Sequence, residues 1–138
     1  MKAFIDTSAL IKKYVQEKGS DRFDEVLKSV SEIVIAPVTV VEICSALHRR
    51  MKDKSLTSRE SLYIQKELDR DVPYFSRVIF NEVLEKQAVD LIERYPLKTL
   101  DSLQLASGML AGGDLFVTSD KQLARYAGKV VKKVILIE

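Results

Sequence analysis

The sequence predicts an α/β fold: a single-domain, three-layer sandwich over residues 1–138, built on a mainly parallel central sheet. Three observations carry this. Short apolar runs without polar alternation recur along the chain, as strands buried on both faces require. Stretches of helical periodicity separate them, and strands alternating with helices favour parallel crossovers. No linker, internal repeat or low-complexity tract divides the chain.

Taken in order, Ala3-Phe4-Ile5 reads as the first buried strand. Thr7 or Ser8 is placed to cap a helix running through Leu10, Ile11 and Tyr14 towards Gly19. Ser20 opens a second helix, with Phe23, Val26, Leu27 and Val30 at helical spacing. Ile33 to Ala36 is another strand, stopped by Pro37, and Thr39 caps a helix to about Met51. Thr57 or Ser58 begins a fourth helix, to about Arg70. The β-rich segment Tyr74 to Phe80 predicts a short strand near Ser76 to Ile79. Asn81 caps a helix that turns Val83, Leu84, Ala88, Leu91 and Ile92 to the core and ends before Pro96. Thr99 to Ala111 is the next helix, stopped by Gly112-Gly113. Leu115 to Thr118 and Val131 to Ile137 are the last strands, flanking a helix from Asp120 to Ala127.

A chain of 138 residues is long enough to bury a proper core. Its 46% apolar and 30% charged residues fit a soluble globular protein rather than a disordered one. One cysteine, Cys44, excludes an internal disulfide and fits the reducing cytoplasm. Nothing approaches the ~20 apolar residues of a membrane span, and no secretory signal is evident. A cytoplasmic protein without membrane association is expected. The only histidine, His48, reads as a surface or helix-packing residue, and Cys44 as a small core residue. No phosphate-cradling glycine loop is present, so nucleotide-binding fingerprints are excluded.

Four acids stand where packing and solubility explain them poorly. Asp6 closes the first strand, and Glu42 is the only charge between Ile33 and Leu47. Asp101 interrupts the apolar helix near Leu100, Leu103 and Leu105, and Asp120 follows the strand ending at Thr118. An ionised carboxylate in apolar surroundings is costly unless something positive offsets it. In open parallel sheets, sites form beyond the carboxyl ends of strands at the point where strand order reverses. Asp6 and Asp120 fall just past strand ends, while Glu42 and Asp101 lie in first helical turns that can face the same edge. Convergence on a shared cation is the expectation.

Each acid has an ordinary alternative. Asp6 and Asp120 can cap the helices that follow them. Thr39-Val40-Val41-Glu42 matches the capping-box pattern, in which the Glu reaches back to the cap's amide. Asp101 lies in a first turn, where the helix dipole favours an acid by ~0.3–1 kcal/mol. Four such coincidences in one chain are less economical than one site.

Carboxylates without His or Cys select a hard cation, Mg²⁺ or Mn²⁺, rather than zinc. Such an ion activates water for in-line attack on a phosphodiester and neutralises charge developing at phosphorus. Ser8 and Thr118 offer hydroxyls beside Asp6 and Asp120 in orienting roles. Net charge is only +2, but setting four acids aside in a metal site leaves +6 elsewhere. The densest basic cluster is Arg49, Arg50, Lys52 and Lys54, with Lys12-Lys13 and Lys132-Lys133 as smaller pairs. Arg49, Arg50 and Lys52 are the candidate contacts to a polyanion, although such clusters also occur as solvated helix ends.

At these residues the chain resembles a known family. Asp6-Thr7-Ser8-Ala9-Leu10, Glu42 in its apolar helix, Leu100-Asp101-Ser102-Leu103-Gln104-Leu105-Ala106, and Val117-Thr118-Ser119-Asp120 before Leu123-Ala124 look like the PIN domain. They look most like the VapC-type toxins of prokaryotic toxin–antitoxin pairs. The resemblance spans essentially the whole chain; each motif is short, and the ordered set is specific. It implies a PIN-like sandwich and a Mg²⁺- or Mn²⁺-dependent endoribonuclease. It also implies a homodimer whose pocket a cognate antitoxin can block. Asp6, Glu42, Asp101 and Asp120 match the family's four acids, with Asp6, Asp101 and Asp120 as closer metal ligands and Glu42 acting directly or through water. Where many relatives carry a basic residue before the third acid, this chain has Leu100.

Two other readings stay open. An Asp-based phosphatase or phospho-acceptor domain also places Asp at a strand end, but usually wants a second Asp two residues on, where Ser8 stands. A catalytically silent PIN-like RNA-binding or assembly subunit would usually have lost an acid, and all four are present.

Overall fold

The computed structural model describes residues 1–138. Five strands form one sheet: β1 (Lys2–Ile5), β2 (Glu32–Ile35), β3 (Ser76–Arg77), β4 (Leu115–Thr118) and β5 (Val134–Leu136). Their order is β3-β2-β1-β4-β5, and every neighbouring pair is parallel. Seven α-helices complete the fold: α1 (Thr7–Leu10), α2 (Ser20–Leu27), α3 (Thr39–Lys52), α4 (Ser58–Asp71), α5 (Glu82–Arg94), α6 (Thr99–Ala111) and α7 (Lys121–Ala127). The expected α/β class is the observed one.

Strand alternation builds the layers. Side chains along a strand point to opposite faces with period two. Ala3 and Ile5 therefore join Leu115, Val117 and Ile35 in one core, sealed by Leu10, Phe23, Ile43 and Leu68 from α1 to α4. Phe4, Val34 and Phe116 face the other way, under Leu84, Leu91, Leu105 and Leu123 from α5 to α7. Phe4 and Phe116 stack across β1 and β4 with ring centroids 5.2 Å apart. Burying each large apolar side chain contributes roughly 1.5–3 kcal/mol, so both faces of the sheet stabilise it.

Close approach of α6 to the sheet needs a glycine. A Cβ on Gly108 would lie 2.4 Å from the Phe116 ring. At its end, α6 stops on Gly112 in the left-handed region, φ 62.

Local chemistry departs from expectation at several points. The first helix is one turn, Thr7–Leu10, followed by a 3₁₀ turn at Ile11–Lys13. Its cap is Asp6, not Thr7 or Ser8; the extended backbone of Asp6 aims its carboxylate at the Ala9 N–H, 3.2 Å away. Thr39 is the first residue of α3 and forms no capping box with Glu42, because Glu42 is engaged elsewhere. The true capping box is Thr57 with Glu60, at the start of α4. Val83 and Ile92 are 59% and 44% exposed, so the buried stripe of α5 is only Leu84, Ala88 and Leu91. The strands expected near Ser76 to Ile79 and over Val131 to Ile137 shrink to Ser76–Arg77 and Val134–Leu136, while Leu115–Thr118 stands as expected. His48 is exposed, as expected.

Candidate active site

Strand order reverses between β1 and β4, which opens a crevice at the carboxyl end of the sheet. Asp6 leaves β1 at this point, and Asp120 leaves β4. Glu42 comes down from the first turn of α3, and Asp101 from the first turn of α6. All four line one cavity of about 440 Å³, together with Ser8 and Gln104. Residues scattered over the whole sequence are thus brought to one place.

Asp6 is the most enclosed of them, at 3% exposure. Ser8 Oγ donates to its Oδ1 at 2.7 Å, and Thr118 Oγ1 donates to its Oδ2 at 2.9 Å. Burial pushes the Asp6 carboxyl up to about 6; these bonds and the Ala9 amide oppose the shift, and repulsion from Asp120 adds to it. Thr118 also accepts the Asp120 N–H at 3.1 Å, so one hydroxyl ties together the two acids that flank the switch point. Ser8 Oγ accepts the Ser119 N–H at 2.9 Å. Both hydroxyls thus bond to Asp6, but only Ser8 reaches the cavity; Thr118 is fully buried.

Glu42 is held through one edge. Its Oε1 accepts from Thr7 Oγ1 at 2.9 Å and from Gln104 Nε2 at 2.7 Å. Gln104 also reaches the hydroxyls of Thr7 and Thr39, at 2.9 and 3.2 Å. The second oxygen of Glu42 has no protein donor. Gln104 was not singled out from sequence, although a signal existed: a lone amide in the apolar run Leu103 to Ala106, one turn beyond Asp101. Its own Oε1 is buried without a partner, as is Ser107 Oγ.

Asp120 caps α7 by accepting the Leu123 N–H at 3.0 Å, so the ordinary reading of this residue holds alongside its place in the cavity. Asp101 has no protein donor at all. Its carboxyl is pushed above the usual range by partial burial, then by Asp120 and Glu42, against a lowering effect of Lys98. The four acids therefore sense one another's charge, and none takes part in an ion pair.

Basic residues share the cavity with the acids. Arg49 and Arg50 line the cavity, as does Lys12; Lys52 lies outside its lining. Glu17 bridges two of them, to Lys12 at 3.2 Å and Arg50 at 2.7 Å. Nothing in the sequence marked Glu17, which reads as part of a solvated, charged turn.

The donor set is all oxygen, which suits a hard cation held by one or two carboxylates and water. As the side chains stand, no three acidic groups are drawn together tightly enough to hold a metal ion. The fit lies in the chemistry: mutually repelling carboxylates, several with free oxygens, none of them in an ion pair.

A family model described as the PIN domain matches residues 3–129. The chain belongs to the PIN domain family. Solved structures share this PIN fold. A toxin–antitoxin complex from Klebsiella pneumoniae superposes with a TM-score of 0.72 at 17% identity, covering 99% of this chain and 98% of that one. FitAcB from Neisseria gonorrhoeae gives 0.72 at 12% identity, over 96% of each chain. VapBC2 from Rickettsia felis, bound to a DNA fragment from its promoter, gives 0.68 at 14% identity, over 96% and 98%. No curated protein matches the sequence significantly.

Proposed function

We propose that this chain is a Mg²⁺- or Mn²⁺-dependent endoribonuclease and the toxin of a toxin–antitoxin pair. The observation that carries this reading is the cavity at the switch point, where Asp6, Glu42, Asp101 and Asp120 meet and none of them forms an ion pair. Membership of the PIN family and likeness to solved toxin–antitoxin complexes support it.

Bound there, a divalent ion would activate the attacking water and neutralise charge developing at phosphorus. Asp6, Asp101 and Asp120 would hold it most closely, with Glu42 acting directly or through water. Ser8 and Thr118 fix both oxygens of Asp6, and Gln104 with Thr7 turns the free edge of Glu42 outward. Arg49 and Arg50 face the RNA phosphates across the cavity, with Lys52 a peripheral contact. Exposed Val41, Leu62 and Tyr63 on α3 and α4 offer apolar surface to a second copy in a homodimer and to the antitoxin. We place the protein in the cytoplasm, as a single domain; no helix is long and apolar enough to cross a membrane.

One observation favours the silent-subunit reading: no three acids stand in a metal-holding group. Incubation of a mixed RNA pool with purified protein in Mn²⁺, Mg²⁺ or EDTA, beside Asp101→Asn prepared identically, separates the two. Cutting that needs metal and that the variant lacks supports the nuclease. Neither cutting nor metal binding supports the silent subunit.

A further inference from the structure

We infer that Lys12 and Arg50, braced by Glu17, form a binding site for a backbone phosphate of single-stranded RNA, one that flanks the phosphodiester lying at the acids; this rests on the nuclease reading above. The Lys12 side chain is only 10% exposed, with its Nζ 3.2 Å from Glu17 Oε1 and 2.6 Å from the Lys18 carbonyl. Arg50 is 26% exposed and meets the other oxygen of the same carboxylate at 2.7 Å. One carboxylate against two cations leaves an uncompensated positive charge in a partly desolvated place, where an anion interacts more strongly than at an open surface.

Position gives this charge its use. Lys12, Glu17 and Arg50 line the same cavity as the four acids, yet no cation pairs with any of those acids. Glu17 pairs with Lys12 and Arg50, so their charge is not spent on the proposed metal ligands. A phosphodiester chain meets this division of labour, because one phosphate needs a cation shared with the carboxylates and its neighbour needs a direct basic contact. The positive rim also continues outward. Lys12 and Ser119 line a second hollow with Lys18 and Lys121, which gives the strand a path away from the cut. Lys121 is 80% exposed there and only loosely paired with Glu138, at 3.5 Å.

The ordinary alternative is a structural brace: Lys12 closes the turn to Lys18, and Glu17 ties that turn to α3. The two readings diverge in salt dependence. The probe is a single-stranded oligoribonucleotide of fixed length, bound in EDTA at several salt concentrations to the full chain carrying Asp101→Asn. Lys12→Met and Arg50→Met should each weaken binding roughly tenfold at low salt, as expected for a lost charged hydrogen bond. Each should also lower the log–log salt slope by about 0.7, the value for one phosphate on a single strand. Lys86→Ala on the exposed face of α5 should change nothing. Melting temperatures verify folding, and Arg50→Met decides the matter should Lys12→Met unfold. Unchanged slopes in folded Lys12→Met and Arg50→Met would overturn the site and leave only the brace. Lowered slopes with an unmutated chain that cuts no RNA in any metal would uphold the site and remove the nuclease reading. No binding by the parent protein overturns the site outright, while metal-dependent cutting measured separately would keep the nuclease.

Discussion

Gln104 donates to Glu42 across the gap between α6 and α3 at 2.7 Å, and this bond sets which edge of Glu42 meets the cavity. The carboxylate dictates the amide's orientation, since an amide oxygen turned towards Glu42 would face a like partial charge. That choice strands the Gln104 oxygen without a donor. Removing the amide should therefore harm the site more than the fold. Gln104→Leu should lower kcat about 10–100-fold at limiting Mn²⁺, the range typical of groups that orient a metal's ligands, with a melting temperature close to the parent's. A full rate at limiting Mn²⁺ would show that Glu42 needs no such support.

Asp6 makes stability pH-dependent in the metal-free protein. Its folded-state carboxyl sits near 6, above its ordinary 3.8, so the folded chain binds this proton more tightly than the unfolded one. The associated stability is present below about pH 4 and is lost as pH rises through 6. At 1.36 kcal/mol per unit, the loss is about 3 kcal/mol. Asp101, also raised, acts in the same direction. Urea unfolding in EDTA should thus show the parent protein weakening between about pH 4 and 7, and Asp6→Asn should flatten most of that slope and be the more stable at pH 8. Saturating Mn²⁺ should offset the parent's loss at high pH. Identical slopes for parent and variant would mean that Asp6 is not the group responsible.

The layers and the acids were legible in the sequence because each depends on local pattern. Ala3-Phe4-Ile5 and Leu115 to Thr118 could only be buried strands, and carboxylates at their ends stood out against apolar neighbours. Hydrogen-bond partners were not legible, because they are chosen in three dimensions. Thr39 and Glu42 carry a capping-box spacing, yet Thr7 and Gln104, far away in sequence, outcompete the cap for Glu42. Asp6 caps α1 for a related reason: the hydroxyl of Ser8, the rival cap, is turned back onto Asp6 itself. Val83 and Ile92 fit a helical stripe nearly as well as Leu84 and Leu91, and only the packing of α5 on α6 and the sheet decides between them.

Gly108 offers a test of how α6 is seated. Helix propensity alone favours alanine over glycine by about 1 kcal/mol in a helix interior. Here the added methyl would meet the Phe116 ring at 2.4 Å, and Phe116 is itself stacked on Phe4. Overpacking of this kind typically costs about 1–3 kcal/mol, so the clash should win. Gly108→Ala should lower the melting temperature and, by shifting α6, reduce activity through Asp101 and Gln104 together. A variant as stable as the parent would mean that the ring moves aside freely.

Arg49 and Lys52 are separated by less than one helical turn but differ in where they stand. Arg49 lines the acidic cavity, and its only side-chain bond is to Ser45 Oγ at 2.9 Å, which leaves its charge unpaired. Lys52, at the exposed end of α3, lies outside that lining. If both served only as a diffuse basic patch, replacing either by alanine would weaken RNA binding to the same small degree. Contact at the cavity predicts otherwise: Arg49→Ala should lower the salt slope of oligoribonucleotide binding by about 0.7, and Lys52→Ala by much less. Titrations of the two variants at matched ionic strengths check this directly. Equal slopes would place the RNA across the end of α3 rather than in the cavity that Arg49 shares with Asp101.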